Sequence, residues 1–512
     1  MTESGRDDAR LVPSAAAAWA ATALGLHAGW QVALGLAAIA ALCAAATLVP
    51  IRRGRFRAGA APLLAALVVA AGFSAAVALR VWAVETHPLA GAAARDGWAT
   101  LAVEPTEDPK RLGDSGFGGD QVLVPARVHR ADLGAGRYTG GGAVVVFAPA
   151  EEWAELLPGQ RVTLRGRLAE SGGADLTVAV VRADGPPRSV QAPSRVQQWA
   201  GRIRERLASA SGAVLPPAAA GLLPGLVVGD TSRLPDDVRE SFRVAGLTHL
   251  TAVSGANVSI VLGAVLLAVR GLGLGPRTGA ALAAVALVAF VVVVRPSPSV
   301  LRAAAMGAIG LLALVTSRRR NGLPALAATV GVLLVAAPEL ATDAGFALSV
   351  AATAGLVLVA PLWVTRLRAR GWPRAAAEVF AVSAAAFVVT APIVAALSGT
   401  VSVVAIAANV LVAPVLPPLT VLGTTVAAVS AVSPAVAELL ARGTAPMLWW
   451  ILEVAARATA LPLAEVPVPA GVSGAVAVVG GLVAARYLLR LRRGRPAGAP
   501  TVMSGGRGTI DR

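Results

Sequence analysis

The sequence predicts a polytopic α-helical membrane protein into which one small β-barrel domain is inserted. Three observations lead there. Several stretches of about 18 or more residues carry no charge, the length needed to cross the hydrocarbon core. Only 14% of the residues are charged and the mean hydropathy is +0.69, whereas a soluble domain carries roughly 25% charged residues. Residues 95–191 break this pattern, with short alternating segments separated by Gly, Pro and Asp.

Taken in order, residues 1–94 hold three apolar runs, near 12–28, 31–49 and 59–84. Arg6 and Arg10 precede them, and no small-residue cleavage site follows a short apolar core, so they read as spans rather than a removed signal peptide. Arg52, Arg53, Arg55 and Arg57 mark the loop after the second run as cytoplasmic. The third run then carries the chain outward, which places residues 95–191 outside the cell membrane.

That segment reads as five strands: "WATLAVEP", "DQVLVPARVHR", "GGAVVVFAP", "GQRVTLRGRL" and "DLTVAVVRA". Five strands in about 95 residues suit an OB-like barrel. Arg161, Arg165 and Arg167 fall on one strand face by period-2 spacing, which makes them candidates for binding a nucleic-acid strand. Against this, residues 95–191 carry a net charge of −2 and few aromatics, so a purely structural barrel is an equal reading.

Residues 192–246 hold two amphipathic helices. In "RVQQWAGRIRERLASA" (195–210), Val196, Trp199, Ile203, Leu207 and Ala210 follow helical spacing, with arginines elsewhere on the wheel. Such a helix lies in the membrane interface or docks on protein. In "RLPDDVRESFRVAG" (233–246), Pro235 suits the first turn, Asp236 and Asp237 complement the dipole, and Gly246 ends the helix.

Residues 247–490 form the main membrane domain, with runs near 247–269, 278–294, 299–316, 322–338, 344–364, 375–397, 400–432, 443–460 and 468–489. Arginine clusters at 318–320, 366–374 and 490–495 share one side if 400–432 crosses once. That run is long, and Pro414, Pro417 and Pro418 make it a discontinuous or re-entrant segment. Residues 491–512 read as a disordered cytoplasmic tail. Both termini are thus expected in the cytoplasm of a multi-pass bacterial plasma-membrane protein.

Composition narrows the chemistry. The net charge of +16 tempts one toward nucleic acid, but its excess lies mostly in short loops and follows the positive-inside rule. Cys43 is the single cysteine, and the four histidines lack ligand spacing, so no metal or other cofactor is expected. No phosphate-binding glycine loop is present, so a transport motor would be a separate protein.

Polar side chains at membrane depth are expensive and mark protein interiors or wet cavities. The candidates are His249, Asn257, Arg295, Arg302, Asp343, Asn409 and the pair Glu453/Arg457. The last two are four apart and satisfy each other on one helix face. Arg295 and Arg302 flank "PSPSV", which reads as a loop at the membrane edge, and Asp343 is equally placed to cap a helix. In "HLTAVSGANVS" (249–259), a continuous helix would set His249 about 140° from Ser254. That geometry disfavours an intramembrane serine hydrolase. Thr251, Gly255 and Ser259 form a small-residue packing stripe, while Ser254 and Asn257 share the adjoining face, so close packing and a polar path lining both remain.

The motifs taken together resemble the ComEC family of DNA-uptake channels. They run from "GLVVGDTSRLPDDVRESFRVAGLTHLTAVSGANVSIV" through "LRAAAMGAIGLLAL" and "APELATDAGFALSVAATAGL" to "SVVAIAANVLVAPVLPPLTVLG". The preceding spans and β-module resemble that family's N-terminal half. The resemblance implies a membrane channel passing single-stranded DNA into the cytoplasm, with a DNA receptor outside and a motor ATPase inside. His249, Ser254, Gly255, Asn257, Arg302, Asp343 and Asn409 are then its path candidates. Many relatives read Leu-His where this chain has Ala256 and Asn257, and Asn cannot titrate. Many also end in a metallo-β-lactamase-like domain, which is not expected here, so another protein would supply the nuclease. The alternative function is transport of a small anionic or lipid-linked substrate at the broken helix around Pro414–Pro418.

Overall fold

The structure is a computed structural model and describes residues 9–52, 60–112, 120–134, 136–251, 253–295, 298–315 and 322–493. The arginine clusters at 52–57, 318–320 and 490–495 and the expected tail lie wholly or largely outside the residues whose side chains are described.

Helices α1 (Val12–Ala28), α2 (Trp30–Arg52) and α3 (Ala60–Glu85) form an apolar three-helix unit, and the short α4 (Pro88–Ala93) follows. The next segment is the β domain: β1 (Trp98–Pro105), β2 (Lys110–Leu112), β3 (Gln121–Asp132), β4 (Arg137–Thr139) and β5 (Ala143–Pro149). One helical turn, α5 (Ala150–Trp153), leads to β6 (Val162–Ala169), β7 (Thr177–Ala183) and β8 (Ser189–Val190).

The five long strands are those the alternation predicts, and they close a barrel in the order β1-β3-β5-β7-β6, with β6 pairing back onto β1. All pairs are antiparallel except β5 with β7. Inward positions such as Leu101, Val122, Val146, Leu164 and Val181 are fully buried, as a pleated strand with one dry face requires. The sequence reading omitted β2, β4 and β8, which are two or three residues long and lack enough alternation to register.

Helices α6 (Arg195–Val214) and α7 (Pro217–Val228) form a hairpin, and α8 (Asp236–Val244) follows. The docked alternative holds for α6: Ala200, Ile203, Leu207 and Ala210 are buried in the main helical core. Val196 and Trp199, expected on that face, are 55% and 41% exposed instead.

The membrane domain continues with α9 (Gly255–Gly271), α10 (Pro276–Val294), α11 (Pro298–Val315), α12 (Gly322–Ala336), α13 (Ala344–Leu358), α14 (Ala360–Arg368) and α15 (Arg374–Ser398). Strand β9 (Thr400–Ser402) precedes α16 (Ala405–Val412), α17 (Leu416–Ser430) and α18 (Pro434–Thr459), and β10 (Glu465–Pro467) precedes α19 (Val472–Arg493). Among the described residues six helices are long and apolar enough to cross a membrane, or seven if a bent pair counts as one span. That pair is α16 with α17, bent by 59° at residues 413–415. Pro414 removes a backbone donor there, whereas Pro417 and Pro418 sit in the first turn of α17, where proline is tolerated. Arg457 and Glu453 pair at 2.8 Å on α18, as their spacing predicts.

The N-terminal unit docks on α12 and α13. Ala18, Leu26, Val77 and Val81 share a core with Leu326, Val330 and Phe346, and the Trp19 indole donates to the Ala341 carbonyl at 2.9 Å.

Arg243 of α8 grips Glu465 of β10 with two bonds of 2.6 and 2.9 Å, and also reaches Glu240. Hydrogen bonding from Arg243 holds the Glu465 carboxyl below the usual glutamate range. Its pKa is depressed on folding, so this pair stabilises the fold above the unfolded value, about 4.3, and the contribution is lost as pH falls through the folded value. The melting temperature of the purified protein should therefore drop on acidification below that range. Glu465→Gln should melt lower at neutral pH and lose this step, with a small amplitude because the pair is partly exposed. An unchanged acid limb in the variant would assign it to other carboxylates.

Candidate functional site

The opening of α9 departs from the sequence reading in one respect. Residues 247–251, 253 and 254 do not extend the helix: a 3-10 turn spans Thr248–Leu250, and Ser254, with extended backbone, is the residue before α9. The angular argument separating His249 from Ser254 therefore does not apply, and Thr251 leaves the small-residue stripe. The physical reason sits upstream. Gly246 ends α8 at φ +68° and Leu247 N–H returns to the Phe242 carbonyl at 2.8 Å, the Schellman closure that stops a helix.

This turn is fitted closely to its surroundings. A β-carbon on Gly246 would lie 2.6 Å from the Ala405 side chain, so α16 packs directly on the backbone. Asn409 of α16 donates to the Ala405 carbonyl at 2.8 Å and reaches toward the Gly246 carbonyl at 3.5 Å. Ser402 donates to the Val244 carbonyl at 2.7 Å. The bent pair is thus latched onto the turn that opens α9.

Asn257 donates to the Leu226 carbonyl at 2.9 Å, occupying an acceptor freed in the last turn of α7. The Ser254 hydroxyl approaches Asn257 Oδ1 at 3.4 Å and gives α9 no cap. These two residues share one half-buried face, as their spacing predicts. His249 is exposed on the 3-10 turn.

Arg302 is the most consequential side chain here. It lies inside α11, not in a membrane-edge loop, and is 6% exposed. Its Nε donates to the Ser349 hydroxyl at 2.6 Å and its Nη1 to Thr353 at 2.8 Å, both on α13. Among the described residues no carboxylate pairs with it. Gly255 is what admits it: a β-carbon there would stand 2.9 Å from Arg302 Nη2. The uncapped N-terminus of α9, the positive end of its dipole, therefore rests against a buried cation. Two sources of positive potential meet here, and among the described residues the acceptors on Arg302 are two hydroxyls and the Met306 sulfur at 3.4 Å.

Asp343 does not join this group. Its carboxylate caps α13, accepting from Phe346 N–H at 2.5 Å, so the capping alternative holds. On the β domain, Arg161, Arg165 and Arg167 are exposed on one face, with Arg165 over the Trp98 ring at 5.3 Å and Arg167 paired to Asp96 at 3.3 Å. The structure does not bring them to the α9 turn. Among the described residues no group of three or more His, Cys, Asp or Glu could hold a metal.

Sequence reasoning missed a second basic centre. Arg204 of α6 is buried, and its Nη1 donates to the carbonyls of Val228 (2.7 Å), Val293 (3.2 Å) and Val294 (3.5 Å). It thereby caps the C-termini of α7 and α10 together, where the dipoles favour a cation. Its Nη2 lies 3.8 Å from Asp108, in the loop joining β1 to β2, and Arg295 at the end of α10 pairs with the same carboxylate. Helical periodicity could not reveal this, because carbonyl partners leave no mark in side-chain patterning.

The sequence profile of the family described as Competence protein matches residues 226–493, more than half of the chain. The chain is also similar to ComE operon protein 3 of Bacillus subtilis (strain 168), 31% identical over 102 residues. That stretch covers 20% of this chain but only 13% of the Bacillus protein. No solved structure matches.

Proposed function

The chain belongs to the Competence protein family, and on that premise we propose that it forms the membrane path by which one DNA strand reaches the cytoplasm. One observation supports this reading most: Arg302, a buried guanidinium held by hydroxyls, at the uncapped N-terminus of α9. A strand passing here presents one negative phosphate after another. A hydroxyl-held arginine offers each a charged donor, and no carboxylate has to be displaced first. Ser254, Asn257, Asn409 and His249 complete the polar border of this path, and Gly255 keeps it close to Arg302.

In this reading the β domain faces outward, and its Arg165–Trp98 pair offers a stacking and charge contact to incoming strand. A receptor outside, a motor ATPase inside and a separate nuclease complete the system. Contact with phosphates makes strand binding fall steeply with salt. A second reading, transport of a small anionic or lipid-linked substrate, draws on the 59° break between α16 and α17, since broken helices bind such substrates. Uptake of labelled DNA by cells lacking the chain separates the two. Loss of nuclease-protected label supports the strand path, and undiminished uptake rejects it.

A further inference from the structure

We propose that Arg204 and Arg295 form a phosphodiester-binding site that the β domain's own Asp108 occupies in the closed state, so that Asp108 is a built-in competitor for the strand.

The donors belong to the helical domain and the acceptor to the barrel. Arg204 is locked by three carbonyls through Nη1, which leaves Nη2 for Asp108. Arg295 gives Nη1 to Asp108, while its Nε is buried with no hydrogen-bond partner among the described residues. The side-on edge of a guanidinium, Nε with Nη2, grips two oxygens in parallel, and Asp108 on Nη1 stands outside that edge. Arg295 also holds φ +73°, a left-handed conformation that costs a non-glycine residue of order 1–2 kcal/mol and recurs at binding sites.

Two side chains about one-tenth exposed bring two positive charges to one carboxylate that is 38% exposed, while Asp230 acts on Arg204 from a distance without an ion pair among the described residues. A phosphodiester offers two non-bridging oxygens, as a carboxylate does, and its neighbours along a strand add further charge. It can take the same Nη donors while Asp108 swings into solvent, and the idle Nε stays available to a further oxygen. Releasing Asp108 also frees one tie between the barrel and the helical domain, so strand binding and opening of that contact are coupled.

This inference rests on the DNA-path reading for the identity of the ligand. Its test is binding of a short fluorescent oligothymidine, read by anisotropy, to the full chain in phosphatidylcholine nanodiscs. Removing an internal competitor by Asp108→Asn should tighten binding by about tenfold, within the 5–150-fold range usual for such coupling. Arg295→Gln should weaken binding, and the double variant should show no tightening. Asp108→Asn should show roughly one phosphate contact more of salt dependence than the wild type. Thermal melting of each variant accompanies the titration, and Asp108→Ser replaces the Asn variant if the latter melts early.

Unchanged or weaker binding by well-folded Asp108 variants overturns the proposal, and so does tightening that survives Arg295→Gln. A gain in retained phosphatidylglycerol without a gain in oligothymidine binding would assign the site to a lipid headgroup and also overturn it. Failure of DNA uptake to depend on the chain would instead sink the path reading and leave this binding result standing.

Discussion

Arg302→Leu should leave the protein folded in the membrane and abolish most DNA uptake. Leucine fills much of the same volume and removes a buried charge, a replacement that is often neutral or stabilising for the fold. The hydroxyls of Ser349 and Thr353 lose a donor, but each retains another bond: Thr353 donates to the Ser349 carbonyl at 2.9 Å and Ser349 contacts Ser299 at 3.2 Å. What disappears is the charged donor. A hydrogen bond to a charged group contributes about 1.5–3 kcal/mol, so each phosphate passing the site loses roughly ten- to hundredfold in occupancy. Transformation frequency with membrane-localised variant is the readout. Arg302→Lys should restore part of it by keeping the charge without the fork. Wild-type uptake by Arg302→Leu would remove Arg302 from the path.

Gly246→Val should cost stability rather than a specific step. Two penalties add at this position. The left-handed φ of +68° costs a β-branched residue about 1–2 kcal/mol, and the β-carbon would come within 2.6 Å of Ala405, an overpacking worth typically 1–3 kcal/mol. Roughly 2–5 kcal/mol is a large share of a domain's net stability. The melting temperature in detergent should fall sharply, with α16 separating first from the turn before α9. Gly273→Ala is the control, because Gly273 has φ +72° but nothing within 4 Å of an added β-carbon. It should cost only the backbone share. Equal losses in the two variants would show that packing against Ala405 contributes nothing.

Much of the fold is legible in the sequence because one variable dominates each part. In the barrel, alternation puts residues such as Val122 and Val124 on the dry face, and pleat geometry does the rest. In the spans, uninterrupted apolar length decides. Legibility fails where two rules compete. Residues 247–254 are apolar enough to continue a helix, yet Gly246 and the packing of α16 stop one, and α16 is more than 150 residues away in the chain. The density of Thr, His and Ser in that stretch singled it out, but a helical reading misassigned its backbone. Arg204 failed for a different reason. Its position between Ile203 and Leu207 on the buried face contradicts a simple polar-out wheel, and only two helix ends meeting across the fold make it tolerable. Asp108 and Arg295 lie 187 positions apart, and their pairing has no local trace. Gly255 was legible as a contact residue, but that its space admits the Arg302 guanidinium follows only from the folded chain.

The central claim, that this chain passes one DNA strand through the membrane, is tested most directly with duplex DNA whose two strands carry different labels. Cells with the chain, cells without it and cells producing Arg302→Leu are fed this duplex and then treated with nuclease outside. The account predicts that one label alone becomes nuclease-protected inside, only where the wild-type chain is present. Protection of one label in cells lacking the chain, or of both labels together as duplex in cells that have it, would contradict the account.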